Sequence, residues 1–258
     1  MSGHVLKYFL IAFLGCFPIL QSNAQIKTIH VFVSLCDNIN QGIVAVPEFL
    51  GNGQKPNSNL YWGAAYGVKS YFKKSADWIL ISNTYKVDSI ILERVLFKHS
   101  SKDIYLLADA YDGKMIEKCT TDFLKSSNGQ LPLIIKEDSL DLKFGGDADL
   151  IAYVGHDGLM DFHVNVQYVN NVSEPKDIII LACYSKDYFQ YEIQNAQANP
   201  LLWTTHLMAP EAYSLKSAID GWLTGENGAA IEERAAQSYN QYQKCGINGA
   251  RRLFTTGF

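Results

Sequence analysis

Two stretches constrain this chain most. "DLIAYVGHDG" begins at Asp149 and "DIIILACYS" begins at Asp177. Each is an unbroken apolar run that opens into a polar turn. A strand with one wet face alternates apolar and polar residues, whereas a strand buried on both faces reads as a continuous run. The two runs therefore read as central strands of a parallel sheet with helices on both sides. "KTIHVFVSLCDN" reads as a buried strand ending near Cys36, and "DWILIS", "ILERVLFK", "DIYLLADAY" and "LLWTTHLMA" as further strands. Helical spacing runs through "NLYWGAAYGVKSYFKK", capped by Asn57 or Ser58, and through "GKMIEKCTTDFLKSS" and "YFQYEIQNAQ". It continues through "PEAYSLKSAIDGWLTG", opened by Pro210, and "NGAAIEERAAQSYNQYQKCG", stopped by Gly246. Strands alternating with helices give an α/β fold with a mostly parallel sheet.

A length of 258 residues suits one domain behind a leader. Residues 1–24 read as a signal peptide. Lys7 supplies the early positive charge, "YFLIAFLGCFPIL" the apolar stretch, and Ser22-Asn23-Ala24 the small residues before a cut. The apolar stretch, broken by Pro18, is shorter than the roughly 20 residues a spanning helix needs. The expectation is a secreted or periplasmic protein, with residues 25–258 as a single domain and no stable membrane insertion. The net charge of −4 and the absence of a basic tract argue against a nucleic-acid partner. Cys36, Cys119, Cys183 and Cys245 follow the leader without a CxxC pair, which disfavours a zinc ribbon or a thioredoxin-type site.

In open parallel sheets, ligands bind beyond the carboxyl ends of the strands. His156 and Cys183 both stand at such ends, with a sequence offset that leaves room for a right-handed crossover. Cysteine attacks as the thiolate and needs a base, and histidine exchanges protons near neutral pH. Gly155 and Gly158 allow close backbone approach, and turn amides there could hold an oxyanion. Two plainer readings stay open: Cys183 as a small core residue and His156 as an ordinary turn residue.

The two blocks resemble the caspase-like cysteine peptidases of clan CD, which include caspases, metacaspases, gingipains and CHAT domains. Tyr153-Val154-Gly155-His156 is similar to the Tyr-Ser-Gly-His-Gly of metacaspases, and Ala182-Cys183-Tyr184-Ser185 to their Ser-Cys-His-Ser. The resemblance implies a three-layer caspase-like sandwich. It also implies a peptide or protein substrate, no cofactor, Cys183 as nucleophile and His156 as general base and acid. Backbone amides of Cys183 and of a residue just after His156, Asp157 or Gly158, would hold the oxyanion. The chain departs from the pattern where Asp157 separates His156 from Gly158. It departs again where Leu181 replaces the metacaspase Asp that binds a basic side chain. The family's first strand often ends in a residue lining the substrate pocket, which makes Asp37 and Asn38 candidates. An ordinary Asx turn is the alternative for Asp37. Cys36, expected nearby, is either a small buried residue or the partner of Cys183 in a reversible bridge.

Other chemistries leave weaker marks. His156, Asp157, Asp161 and His163 in "HDGLMDFH" could ligate a metal, so a metal-dependent hydrolase is one alternative reading. A non-catalytic binding homologue on the same fold is another. No GxSxG elbow, GxGxxG or GxxxxGK[ST] occurs.

Overall fold

The structure is a computed structural model that describes residues 26–169, 172 and 174–258. The leader expected over residues 1–24 lies outside the described residues. In chain order the elements are β1 (Lys27–Ser34), α1 (Val68–Lys74), β2 (Trp78–Tyr85), β3 (Ile91–His99) and β4 (Ile104–Tyr111). Then come α2 (Ile116–Ser127), β5 (Pro132–Glu137), β6 (Leu140–Gly145), β7 (Leu150–Val154) and β8 (Asp177–Leu181). The chain finishes with α3 (Ser185–Ala196), β9 (Asn199–Thr204), α4 (Ala212–Leu223), α5 (Gly228–Gln243), α6 (Ile247–Leu253) and β10 (Phe254–Thr255).

One sheet carries the order β10-β9-β8-β7-β1-β4-β3-β2. The five strands from β9 to β4 are parallel, while the β10–β9, β4–β3 and β3–β2 pairs are antiparallel. The protein is thus α/β, with a large, mostly parallel mixed sheet flanked by helices. The continuous apolar runs are explained by burial on both faces. Every residue of β4 and β7 is buried. Ile29, Val31 and Val33 of β1 pack on one face with Leu215, Ile219 and Ile231 of α4 and α5. Phe32, Ile151 and Tyr153 pack on the other with Phe123 of α2 and Phe189 of α3. Each such aliphatic or aromatic side chain contributes roughly 1.5–3 kcal/mol of burial free energy. No helix among the described residues is long and apolar enough to cross a membrane.

Three elements differ from expectation. The helix read from Asn59 begins only at Val68, after irregular turns. Gly63 and Gly67 are the reason: a Cβ would lie 2.2 Å from the Asn57 carbonyl oxygen or 2.5 Å from the Trp62 backbone, so close chain crossings replace the first turns. The long C-terminal helix stops at Lys244, which takes the left-handed conformation (φ 55°), and Gly246 instead precedes α6. The β5–β6 hairpin was not expected. Its turn uses Asp138 at φ 50° rather than the Asn-Gly or Asp-Gly pair that marks such turns.

Candidate active site

The sheet order contains a switch point. From β1 the chain crosses to β4 on one side, and later fills β7, β8 and β9 on the other. The direction of winding therefore switches between β1 and β7, the place in an open α/β sheet where ligands generally bind. β7 and β8 pair in parallel with Leu150 opposite Asp177 and Val154 opposite Leu181. His156 and Cys183 each stand two residues beyond that last pair, so the two candidate residues lie at matching positions on the same sheet edge.

His156 is positioned by the turn around it. Gly155 has φ +155°, and a Cβ there would lie 2.9 Å from Ser34, so the strand exit requires glycine. The Tyr153 hydroxyl donates to the His156 carbonyl at 2.8 Å. A short 3₁₀ turn, Gly158–Met160, follows, capped by Asp157 through the Leu159 amide. The turn brings the chain back so that Asp161 meets His156 Nε2 at 2.7 Å. The same Asp161 oxygen accepts from the Gly42 amide at 3.0 Å, tying the loop after β1 to the histidine. A carboxylate on Nε2 holds the proton there and leaves Nδ1 as the basic nitrogen. Nδ1 makes no hydrogen bond to a described residue.

Cys183 sits in the turn between β8 and α3. Tyr184 next to it adopts φ 47°, a strained conformation for a non-glycine residue. Ser185 holds the turn from behind, donating to the Ile180 carbonyl and accepting from the Thr204 amide. The thiol faces the backbone of Met208, with Sγ 3.6 Å from its carbonyl oxygen and 3.4 Å from its amide nitrogen. No hydrogen bond joins Cys183 to His156. Burial pushes the thiol above its ordinary range, contact with Met208 offsets part of this, and the charge of Asp157 adds to the rise. The positive end of the α3 dipole begins two residues after Cys183 and acts in the opposite sense. The amides of Asp157, Gly158 and Cys183 make no hydrogen bond to any described residue.

Asp157 is the unusual member of the group. It is 0 % exposed, and one of its carboxylate oxygens has no partner among the described residues. Burial pushes its carboxyl up to about 7, and the neighbouring charge of Asp161 adds to this. Its side chain is enclosed by the protein.

At the end of β1, Asp37 organises a loop. Its oxygens accept from the Ile39 and Asn40 amides, the Asn40 side chain and the Gln54 side chain. Burial alone would raise this carboxyl, but those donors outweigh it and hold it below the usual range. Asn38 bonds Val46 in both directions, at 2.8 and 3.0 Å. Both residues thus fix the course of the loop after β1. Cys36 is fully buried, and its thiol is pushed up to about 11 by burial, partly offset by the Tyr61 hydroxyl. Cys36, Cys119, Cys183 and Cys245 are free thiols.

Asp161 was grouped by sequence with His163 as a possible ligand set. Its bond to His156 and the inward course of Asp157 divide that set. Among the described residues no three His, Cys, Asp or Glu side chains converge to hold a metal ion. His30 and His99 lie elsewhere: His30 bonds Asp109 within the sheet, and His99 packs on Trp78. His206 stacks near Tyr184 at the same sheet edge as Cys183. The Met208 contact left no sequence signal, because main-chain atoms make it.

No protein-family model matches the chain, and no curated protein or solved structure matches it.

Proposed function

We propose that the protein is an exported cysteine peptidase of the caspase-like kind, in which Cys183 and His156 form the catalytic dyad. One observation carries this reading: the two residues extend adjacent parallel strands by the same two residues, on the sheet edge where the winding switches at the neighbouring strand. The placement of β1 beside β7 agrees with the same arrangement. In the reaction, the Cys183 thiol leaves Met208 and passes its proton to His156 Nδ1. The thiolate attacks the peptide carbonyl carbon. The oxygen that gains charge is held by the Cys183 and Gly158 amides. His156 then returns the proton to the leaving amine as the C–N bond breaks, giving a thioester on Cys183. Water attacks the thioester with His156 again as base, and the free acid departs. Asp161 keeps the Nε2 proton in place throughout and stabilises the imidazolium that forms.

A second reading, a binding homologue without catalysis, is favoured by the raised Cys183 thiol and its contact with Met208. Hydrolysis of a peptide library by the purified mature chain separates the two. The peptidase reading expects cleavage that Cys183→Ala abolishes and His156→Ala reduces comparably, since members of one catalytic unit are not additive. Cleavage retained in Cys183→Ala would overturn it, and cleavage lost on chelation would favour a metal-dependent hydrolase.

A further inference from the structure

We infer that the crevice takes an extended peptide whose side chain at the scissile bond is apolar; this rests on the peptidase reading. Two loops bound the opening, and each is anchored on a dyad residue. The loop after β1 is held at Gly42 by the Asp161 oxygen that also holds His156. The loop after β9 is held to the Cys183 thiol by both backbone groups of Met208. What the loops present is therefore placed relative to the reacting sulfur.

Both loops are lined by apolar side chains. Ile43, Val46, Met208 and Ala209 are partly buried against the core cluster that contains Cys36, Tyr61 and Leu181. The wall beside the thiol is thus continuous with the hydrophobic core. Further out, Ile39 and Val44 are 89 % and 91 % exposed on the first loop, and Leu207 is 67 % exposed on the second. Among the described residues they stand uncovered, on the two loops that the dyad residues hold.

Charge disfavours the alternatives. A basic side chain needs an uncommitted acid within the pocket. Asp37 is engaged by four donors, Asp157 is fully buried, and Asp161 is bound to His156 and Gly42. Glu211 accepts from Tyr213 and Gln243, while Glu48 is exposed on the outer arm of its loop. Leu181 stands where metacaspases carry their acid. An acidic side chain needs a cation; there is no Lys or Arg across residues 35–54, 155–163, 181–185 or 205–215, and the adjoining Lys114, Lys186 and Lys216 are engaged with Asp112, the Gly257 carbonyl, and Asp77 and Asp220. An aliphatic or aromatic side chain leaves no charge unpaired.

The test uses fluorogenic peptides identical except for Leu, Phe, Arg or Asp at the residue whose carbonyl is cleaved. Wild-type hydrolysis is measured beside binding of the same peptides to Cys183→Ala by fluorescence anisotropy. Leu and Phe peptides should be favoured over Arg and Asp peptides by about tenfold or more. Val44→Asp and Leu207→Asp, both at exposed positions, should weaken binding and raise KM. Arg or Asp peptides handled as well as Leu peptides, or no peptide bound and none cleaved, would overturn the inference. Apolar preference in binding without any hydrolysis would keep the apolar crevice and remove the peptidase reading instead.

Discussion

Asp157→Asn is the most informative single change near the crevice. Burial raises the Asp157 carboxyl from 3.8 to about 7, and its second oxygen has no partner. A carboxyl that titrates higher in the folded state favours folding when protonated. Stability should therefore be fullest near pH 4 and fall as pH rises towards 7, because the native state binds the extra proton across that window. At about 1.36 kcal/mol per pH unit, the ionised carboxylate costs the fold roughly 4 kcal/mol above pH 7. A chain of this size shifts its melting temperature by about 2–4 °C per kcal/mol, so the loss amounts to roughly 10 °C. Asparagine keeps the acceptor for the Leu159 amide and cannot ionise. The assay is thermal unfolding of both proteins from pH 5 to pH 8. The variant should gain on the wild type steadily as pH rises. It should also alkylate Cys183 faster at neutral pH, because the Asp157 charge is one of the causes that raise the thiol. Parallel melting curves for the two proteins across that range would refute the reasoning.

Three further outcomes follow from named contacts. Asp161→Ala removes the 2.7 Å bond to His156 and the Gly42 anchor. Peptide hydrolysis should fall in kcat by about 10–100-fold, less than for a fully buried triad acid because Asp161 is partly exposed. Gly155→Ala places a methyl 2.9 Å from Ser34 at φ +155°, and denaturant unfolding should show a loss of about 1–3 kcal/mol. Lys69→Met leaves the buried Glu93 with Trp62 but without its cation, and the same measurement should show a loss of about 3 kcal/mol.

The central strands were legible because burial on both faces leaves an unbroken apolar run, as in "LIAYV" and "IIIL". The offset between His156 and Cys183 was legible for a related reason: it equals the pairing offset of β7 and β8 along their whole length. The partners of the two residues were not. Asp161 returns to His156 through a 3₁₀ turn whose spacing also suits a ligand cluster, and the residue types alone cannot separate the two. The thiol is met by Met208 main-chain atoms, which every residue type carries. The helix expected from Asn59 failed because Gly63 and Gly67 let the chain pass close to Asn57 and Trp62 a few residues back, which residue spacing does not signal.

The most direct measurement concerns where a peptide electrophile reacts. The protein is incubated with a Leu-containing peptidyl acyloxymethyl ketone, and the adducts are mapped by mass spectrometry in wild type and in His156→Ala. Cys245 is exposed and Cys183 only partly so, so accessibility alone directs the label to Cys245. The account predicts a single adduct at Cys183 in the wild type, slowed strongly in His156→Ala. Labelling that follows exposure, with Cys245 first and Cys183 unaffected by the loss of His156, would contradict it.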